Sequence, residues 1–573
     1  MATLSPLSFL ATTKVSASSP SLLPSSSRKP SKASPRIAKV SCNASNPQGE
    51  PQNNRRDVLV GLGGLGAAAA TFSYNPLALA DAVATDVHAC NKPSLPPGAK
   101  PIACCPPNYE DKEPIEYVIP KYTSLRIRTP AHDYADLDKY TKAITIMKSL
   151  PDDHPHSWTQ QSRIHCAYCH NSYTQVGHKG VEMQVHFSWI FLPFHRWYLY
   201  FYERILGKLI NDPTFALPFW NWDAPEGMEM PAIFTDRRSP LYNALRNQNH
   251  LPPTLVDLNW NGRSTGVDGS GDVEANLATM YRQVYEVKRP LCFYGKPYRA
   301  GDKPLSGSGN GSGSIELVPH NTVHSWTGDK TQPNIEDMGA LYSAARDPIF
   351  YCHHANIDRM WSVWKSFGRE DITDPDYQNA SYVFYDENLN LVTVKNSDAF
   401  DTKKLGYDYK QLDLPWLKYK PTPRRTKAQR HGRKVKKLDL PFTLKDKIVS
   451  TVVKRPQTNR SQLEKDEKEE SLVFTLQFDR TKHLKFDVLI NEEEDYKWAN
   501  PKYREFAGSF VNVSHAGQDP GATETTFTVG ITDLLEQLDA DDDDTIVVTL
   551  VPQYGDQVII KDIKISFEEC RLR

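Results

Sequence analysis

Apolar positions follow two different periods along the chain, which divides it into two kinds of structure. Between about residues 137 and 367, aromatic-rich apolar stretches alternate with long polar loops. The segments 197–210 and 349–364 carry their apolar residues at helical spacing. We therefore predict a helical core for this part of the chain.

The C-terminal part has a different pattern, made of short, β-branched segments at regular spacing. Six such segments are candidates for strands: 472–478, 486–490, 510–513, 526–530, 546–550 and 558–567. Several short strands separated by turn residues are typical of an all-β domain, and we predict a sandwich-like fold.

A basic segment separates the two patterns. Ten Lys and Arg residues occur from Lys418 to Lys437 without an acidic residue, and Pro421 and Pro423 interrupt the run. A nucleic-acid-binding arm would explain such a charge run. An exposed, protease-sensitive linker is the simpler interpretation, and we prefer it.

The N-terminus has the composition of a targeting leader. No acidic residue occurs before Glu50, while Ser, Lys and Arg are frequent, as in an organelle transit peptide. Arg55 and Arg56 then precede an apolar run at 58–70 and a small-residue cleavage site at 78–80, the pattern of a twin-arginine signal. The run is shorter than the roughly 20 residues of a membrane span, so we favour a removed signal over an anchor. Together the signals predict the chloroplast thylakoid lumen, without stable membrane insertion.

These boundaries divide the chain into four segments. We predict a leader at 1–80, a helical domain at 81–417 with a middle segment at 368–417, a basic linker at 418–440, and a β domain at 441–573.

Composition excludes some classes of protein. With 39% hydrophobic and 24% charged residues, the 573-residue chain is not a disordered protein. Its 68 Lys+Arg and 69 Asp+Glu give a formal net charge of -1, so no overall field attracts nucleic acid. The 17 histidines and 9 cysteines stand out, and the histidines indicate a metal site.

Three histidines in the second half of the helical domain form a candidate ligand group. His320 and His324 are four residues apart, so on a helix they project from one face, close enough to share one first-row metal ion. His354 follows in an aromatic, apolar segment and supplies a third imidazole.

A second group consists of His165, His186 and His195. On one unbroken helix, His186 and His195 would lie on opposite faces because they are nine residues apart. Proline fits the first turn of a helix, so Pro193 indicates that a new helix begins after His186 and that both rings can converge. Any one of these histidines could be an ordinary core residue, but two groups of three favour two metal ions.

The segment 166–170 also fits C-x-x-C-H, the sequence that attaches c-type haem. A lumenal haem protein that uses Cys166, Cys169 and His170 is therefore an alternative. It leaves the group around His320 and His354 unexplained.

Five longer motifs occur along the chain. They read His165-Cys-Ala-Tyr-Cys169, Phe194-His-Arg-Trp-Tyr-Leu-Tyr-Phe201, His354-Ala-Asn-Ile-Asp-Arg-Met-Trp361, Leu405-Gly-Tyr-Asp-Tyr409 and Lys485-Phe-Asp-Val488. With the two-part leader and the His320/His324 pair, they resemble the plant polyphenol oxidases, the catechol oxidase and tyrosinase family of type-3 copper enzymes. The resemblance implies a mainly α catalytic domain, a four-helix-bundle dicopper core with long loops, followed by a C-terminal all-β sandwich-like domain.

The resemblance also implies a set of ligands and cross-links. Two copper ions would be bound, one by His165, His186 and His195 and the other by His320, His324 and His354. A thioether would join Cys169 to His186, and disulfides would join Cys90 to Cys105 and Cys104 to Cys166. These bonds would account for C-x-x-C-H without haem, and they leave Cys292, Cys352 and Cys570 without a role.

The activity implied by the family is oxidation of o-diphenols to o-quinones, with O2 reduced to water. The partners would be small phenols, O2 and an activating protease, because the β domain of the family covers the copper cleft until the linker is cut. A copper carrier that binds the same metal without catalysis is the other alternative.

Four positions bear on which phenols would react. In tyrosinases of the family, residues matching Glu316 and Asn321 hold a water that is proposed to deprotonate a monophenol, so o-hydroxylation of monophenols is implied as well. Ser325 replaces a bulkier apolar residue, and Leu341 stands where Phe is frequent. Both should make the entrance roomier and widen the choice of substrate.

Overall fold

The structure is a computed structural model that describes residues 81–107, 112–262, 271–304, 311–426, 435–492, 499–516, 522–555 and 557–569. The predicted leader, residues 427–434 of the predicted linker, and Cys570 lie outside the described residues.

Helices dominate the first half of the described chain. The α-helices there are α1 (Leu137–Ser149), α2 (Trp158–Cys169), α3 (Phe191–Ile210), α4 (Val273–Met280), α5 (Pro290–Tyr294), α6 (Asn321–Thr327), α7 (Ile349–Ser366) and α8 (Pro375–Asn379). Short 3-10 turns occur at Ala131–Asp133, Pro225–Gly227, Ala232–Phe234, Gln248–His250, Ala344–Arg346, Asn396–Ala399 and Pro415–Lys418, and π-helical turns at Tyr281–Glu286 and Glu316–His320. Both predicted helical segments are confirmed, one within α3 and the other within α7.

The longest of these helices, α3, runs through the middle of the domain. Pro193 lies in its first turn, where the missing N–H costs no hydrogen bond. Asn211 ends it in the left-handed conformation, with its N–H bonded to the carbonyl of Gly207. The helix is buried on nearly every face, including its polar residues His195, Arg196 and Glu203, and it packs against α1 and α7.

Short strands tie the N-terminal arm to the middle segment. They are β1 (Thr85–Asp86), β2 (Ile115–Glu116), β3 (Arg126–Arg128), β4 (Thr174–Gln175), β5 (His178–Glu182), β6 (Ser381–Tyr385), β7 (Leu391–Lys395) and β8 (Tyr407–Tyr409). They form three sheets in the orders β1-β4-β5, β2-β7-β6 and β3-β8. The disulfides Cys90–Cys105 and Cys104–Cys166 hold the arm as well.

A buried network of ion pairs and hydrogen bonds joins strands β3 and β8 to helices α3 and α7. Arg128 of β3 donates to Glu203 of α3 at 2.8 Å and to Asp358 of α7 at 3.3 Å. Asp358 also accepts hydrogen bonds from Arg196 and Tyr409, each at 2.5 Å. Burial alone would raise the pKa of Asp358, but the charges of Arg196 and Arg128 hold it below its usual value. Removing one member would leave a buried charge without its partner.

The C-terminal domain is a sandwich of two four-stranded sheets. Its elements are β9 (Phe442–Leu444), β10 (Val449–Lys454), α9 (Gln462–Glu467), β11 (Lys468–Asp479), β12 (Leu484–Ile490), β13 (Phe506–Asn512), β14 (Ala522–Gly530), α10 (Thr532–Gln537), β15 (Thr545–Gly555) and β16 (Val558–Glu569). The sheets β10-β15-β12-β13 and β14-β11-β16-β9 enclose one apolar core. The six predicted strand segments are confirmed. Helix α9 was not predicted, although its capping box of Ser461 and Glu464 is visible in the sequence.

The sandwich is docked on the helical domain. Val513, just after β13, belongs to the apolar core of the helical domain, whereas Leu317 and Val318 belong to the core of the sandwich. The ammonium group of Lys485 in the sandwich donates to the main-chain oxygen (2.6 Å) and the side-chain oxygen (2.7 Å) of Asn259 in the helical domain. Of the helices described, none is long and apolar enough to cross a membrane.

Candidate dinuclear metal centre

Triad A (His165, His186 and His195) comes from three separate elements. His165 is near the end of α2, His195 is in the second turn of α3, and His186 lies in the segment before α3, as the position of Pro193 predicted. The ring centroids are 5.1–5.6 Å apart, and one nitrogen of each ring lies within 4.8 Å of the others.

The imidazole rings of triad B (His320, His324 and His354) lie on average closer together than those of triad A. His320 ends the π-helical turn, His324 is on α6, and His354 is on α7. The Nε2 atom of His354 lies 3.3 Å from that of His320 and 3.2 Å from that of His324. Three imidazole nitrogens bound to one first-row ion at about 2.0–2.1 Å would have nearly this separation.

The two triads face each other. The rings of His195 and His354 are stacked with centroids 4.3 Å apart, and those of His186 and His320 are 5.9 Å apart. Two ions held by these triads would therefore be neighbours.

The ring nitrogens that point away from the centre are mostly hydrogen-bonded to oxygens. The Nδ1 atom donates to the carbonyl of Leu341 in His165 (2.6 Å), of Phe191 in His195 (2.8 Å) and of Met338 in His324 (2.7 Å), and to Asn321 Oδ1 in His320 (2.9 Å). Because a carbonyl oxygen can only accept, these bonds keep the proton on Nδ1 and leave the Nε2 lone pair free. The Nε2 atoms of triad A have no hydrogen-bond partner.

Sequence reasoning did not consider the fourth histidine beside triad B. A nitrogen of His353 lies within 4.8 Å of the nitrogens of triad B. However, its Nδ1 accepts a hydrogen bond from the indole N–H of Trp222 at 3.1 Å, so the proton of the neutral ring is on Nε2. A protonated nitrogen does not bind a metal ion, which favours His354 as the third ligand. The sequence shows His353 and His354 side by side as alternative third ligands, but it does not indicate which of the two binds the metal ion.

Burial keeps the six histidines neutral. Each has at most 2% of its surface exposed. Burial is the main cause that lowers their pKa values, to about 3 in His195 and about 4 in His324. Neutral imidazoles with free Nε2 lone pairs fit first-row ions such as copper. The residues present therefore suit two such ions.

The cysteine near triad A is positioned for a cross-link to it. The Sγ atom of Cys169 lies 3.2 Å from Nδ1 of His186. Cys166 is bonded to Cys104 and cannot also attach a haem, and His170 Nδ1 lies 2.8 Å from the carbonyl oxygen of Ser94. The haem interpretation is therefore not favoured.

The two residues expected to hold a water have other partners while the sandwich is docked. Glu316 is buried, its Oε1 accepts the N–H of Phe187 at 2.6 Å, and burial raises its pKa to about 8. Asn321 donates from Nδ2 to the carbonyl of Val511 in the sandwich at 3.0 Å. The water between them stays a prediction.

Ser325 and Leu341 are both buried close to triad B and triad A, respectively. The hydroxyl of Ser325, next to His324, has no hydrogen-bond partner in the described structure. Leu341 is buried, and its N–H donates to the carbonyl of Ser514 at 3.2 Å, while its own carbonyl holds His165. Their effect on substrate choice stays a prediction.

The segment 511–516 of the sandwich covers the centre. The family resemblance implied that the β domain covers the metal cleft, but no motif indicated which segment does so. His515 packs on Phe187, the neighbour of His186, with ring centroids 4.6 Å apart. Ser514 and Ala340 form a parallel bridge. A phenol could not reach the triads by this route without displacing the segment.

Comparisons with known proteins extend over the whole described chain. Residues 155–366 match the model for the common central domain of tyrosinase, residues 371–422 the polyphenol oxidase middle domain, and residues 440–567 the chloroplastic polyphenol oxidase C-terminal domain. A chloroplastic polyphenol oxidase of Malus domestica is 50% identical over 557 residues, 92% of each chain. The chain belongs to the plant polyphenol oxidase family. It is thus an oxidoreductase of phenols.

Other members of the polyphenol oxidase family match over similar lengths. The (+)-larreatricin hydroxylase of Larrea tridentata is 46% identical over 572 residues, 94% of this chain and 95% of that protein. The structure of latent apple tyrosinase superposes with a TM-score of 0.74 and 51% identity, over 80% of this chain and 100% of that one. Latent aurone synthase superposes with a TM-score of 0.80 and 40% identity, over 86% and 100%. Both confirm the predicted fold.

Proposed function

We propose that this polyphenol oxidase binds two copper ions and oxidises o-diphenols to o-quinones, reducing O2 to water. The observation that carries the proposal is the pair of facing triads of buried imidazoles. The Nε2 atoms of triad A have no hydrogen-bond partner, and in triad B the Nε2 atom of His354 lies 3.2–3.3 Å from those of the other two rings. His165, His186 and His195 would hold one ion, and His320, His324 and His354 the other. Two bound copper ions would together accept the two electrons that one diphenol releases when it is oxidised to a quinone, and O2 would be their final acceptor.

The surrounding residues fix the tautomers and positions of the histidine ligands and exclude water from the centre. Main-chain carbonyls of Leu341, Phe191 and Met338 fix the tautomer of one ring each. A thioether from Cys169 would immobilise His186, which otherwise lies in a segment without regular structure. The rings lie in a core of aromatic side chains, which keeps the reacting phenol away from bulk water.

We further propose that the enzyme hydroxylates monophenols. Hydroxylation needs a base near the metal to remove the phenol proton. Asn321 and Glu316 are both present at the edge of triad B, and release of Val511 would free the Asn321 amide to hold a water. The relative from Larrea tridentata is named (+)-larreatricin hydroxylase, and this name supports hydroxylation as a reaction of the family.

The protein is proposed to be a latent proenzyme of the thylakoid lumen. Segment 511–516 lies over the triads, and the basic linker at 418–440 offers a site for an activating protease. The two-part leader supports the lumen, and several relatives are named chloroplastic.

The test compares oxygen uptake on 4-methylphenol and 4-methylcatechol by the copper-loaded enzyme before and after proteolysis within the linker. Proteolysis should raise both activities. Asn321→Ala should lose hydroxylation of 4-methylphenol at least tenfold while keeping most of the catechol oxidation. Only hydroxylation needs the base, and the carbonyl of Glu316, 3.3 Å from Nδ1 of His320, can still accept the hydrogen bond that Asn321 accepts in the wild type. Copper bound without any oxygen uptake after cleavage would identify a copper carrier instead.

Metal content tests the ligand assignment separately. His354→Ala should reduce bound copper from two ions per chain to one, whereas His353→Ala should retain two. Loss of copper in His353→Ala alone would contradict the tautomer argument.

A further inference from the structure

A cavity of about 120 Å³ lies between the helical domain and the sandwich, away from both triads. None of the six candidate copper ligands is among the residues that line it. Its volume is close to that of an engineered protein cavity of about 150 Å³ that binds benzene. A single six-membered ring is therefore about the largest group that the cavity can enclose.

One wall of the cavity is apolar. Leu317 of the helical domain and Phe527 and Val529 of the sandwich line it, and all three belong to the apolar core of the sandwich. Such a wall offers a flat, dry contact to a ring.

Another part of the cavity wall includes two buried arginines. Arg282, with 6% of its surface exposed, donates to the main-chain carbonyls of Pro501 (3.0 Å) and Tyr503 (2.5 Å), which carry no charge. Arg504, with 2% exposed, pairs with Glu286 at 2.6 and 2.7 Å, while its Nε has no hydrogen-bond partner in the described structure.

Positive charge on this wall is incompletely neutralised. Burial first, and then the nearby Arg504, lowers the pKa of Arg282 to about 9, although Glu286 and Glu505 oppose the shift. The basic side chains that line the cavity number four and the acidic ones three. A bound anion would offset the excess charge and could accept a hydrogen bond from the Nε of Arg504.

We propose that this cavity binds a small aromatic carboxylate, with its carboxylate between Arg282 and Arg504 and its ring on Leu317, Phe527 and Val529. This site is additional to the proposed oxidase centre. Because the ligand contacts both domains, it binds the docked form and stabilises it against release of the sandwich.

The test measures benzoate binding to the full-length, copper-loaded chain by calorimetry, with benzyl alcohol as a neutral ligand of similar shape. Benzoate should bind at least tenfold more tightly and should raise the melting temperature. Arg282→Gln, which keeps a donor for the carbonyls but removes the charge, should weaken benzoate binding at least tenfold. Arg282→Lys should stay within about threefold.

Two further variants distinguish benzoate binding in the cavity from misfolding of the variant and from benzoate binding at another site. Val529→Phe fills the ring side of the cavity and should weaken benzoate binding without touching the arginines. Arg163→Gln is the control, because Arg163 of α2 is also an arginine whose pKa is lowered by burial, but it does not line the cavity. It should bind benzoate as the wild type does.

Equal affinity for benzoate and benzyl alcohol would overturn the proposal. So would unchanged benzoate affinity in both Arg282→Gln and Val529→Phe, since benzoate would then occupy another site, such as the dinuclear centre. Binding is measured without turnover, so its result is independent of whether the chain proves to be an oxidase.

Discussion

Acid should weaken the docking of the sandwich, because two fully buried histidines lie where the domains meet. His515 packs on Phe187, and the backbone nitrogen of Ala516 lies 3.3 Å from Nδ1 of His170. Burial is the main cause that lowers both pKa values, to about 4 in His170. The charge of Arg480 lowers both further, whereas hydrogen bonds to main-chain carbonyls oppose the shift.

The direction of the pH effect follows from the number of protons that the docked and the separated states bind. Once the domains separate, exposed histidines titrate near 6.5, so between about pH 6.5 and pH 4 the separated state binds more protons than the docked state. Docking is therefore strongest above pH 6.5 and weakens as the pH falls through this window. A histidine with a pKa near 4 when docked and near 6.5 when exposed contributes about 2 kcal/mol at pH 5, or about a 30-fold change in Kd.

The assay uses a chain with a specific protease site within 427–434, cut after purification. The Kd between the two fragments is measured by sedimentation at pH 7.5 and pH 5, and it should rise at least about 30-fold at pH 5. His515→Phe keeps a ring against Phe187 but cannot take up a proton, so its Kd should change less with pH. A wild-type Kd that stays within threefold between the two pH values would refute the reasoning.

Three other perturbations have defined outcomes. Asp358→Ala should lower the free energy of unfolding by about 3–5 kcal/mol in urea titrations, because Arg196 would be buried without its carboxylate; a loss below 1 kcal/mol would contradict this. Cys104→Ser opens a disulfide between residues 62 apart and should cost about 4 kcal/mol by the loop-entropy model, measured in the same way; an unchanged midpoint would argue against it. Asn321→Asp should weaken docking at pH 7.5, because a carboxylate would face a carbonyl of the sandwich; the fragment Kd of the cut chain checks this, and tighter binding would be the opposite result.

The periodicity of the chain was sufficient to predict two of its main helices and most strands of the sandwich. Apolar spacing located α3 and α7, and β-branched alternation located six strands of the sandwich, because both depend on which faces of a local segment are buried. Pro193 showed that His186 and His195 belong to different segments, since proline is tolerated in the first turn of a helix. Local sequence therefore specified both the elements and the candidate ligand histidines.

Only the tertiary structure decided how those histidines are held and covered. The carbonyl of Leu341 orients His165 from 176 residues away, and the indole of Trp222 separates the roles of His353 and His354 from more than 130 residues away. Main-chain carbonyls leave no trace in a sequence pattern, because every residue has one. The resemblance implied that the β domain covers the centre, but it did not identify segment 511–516, since the contacts of this segment form only when two separately patterned domains pack together. Sequence thus determined which groups could ligate copper, and packing determined which nitrogens are free to do so and when a phenol can reach them.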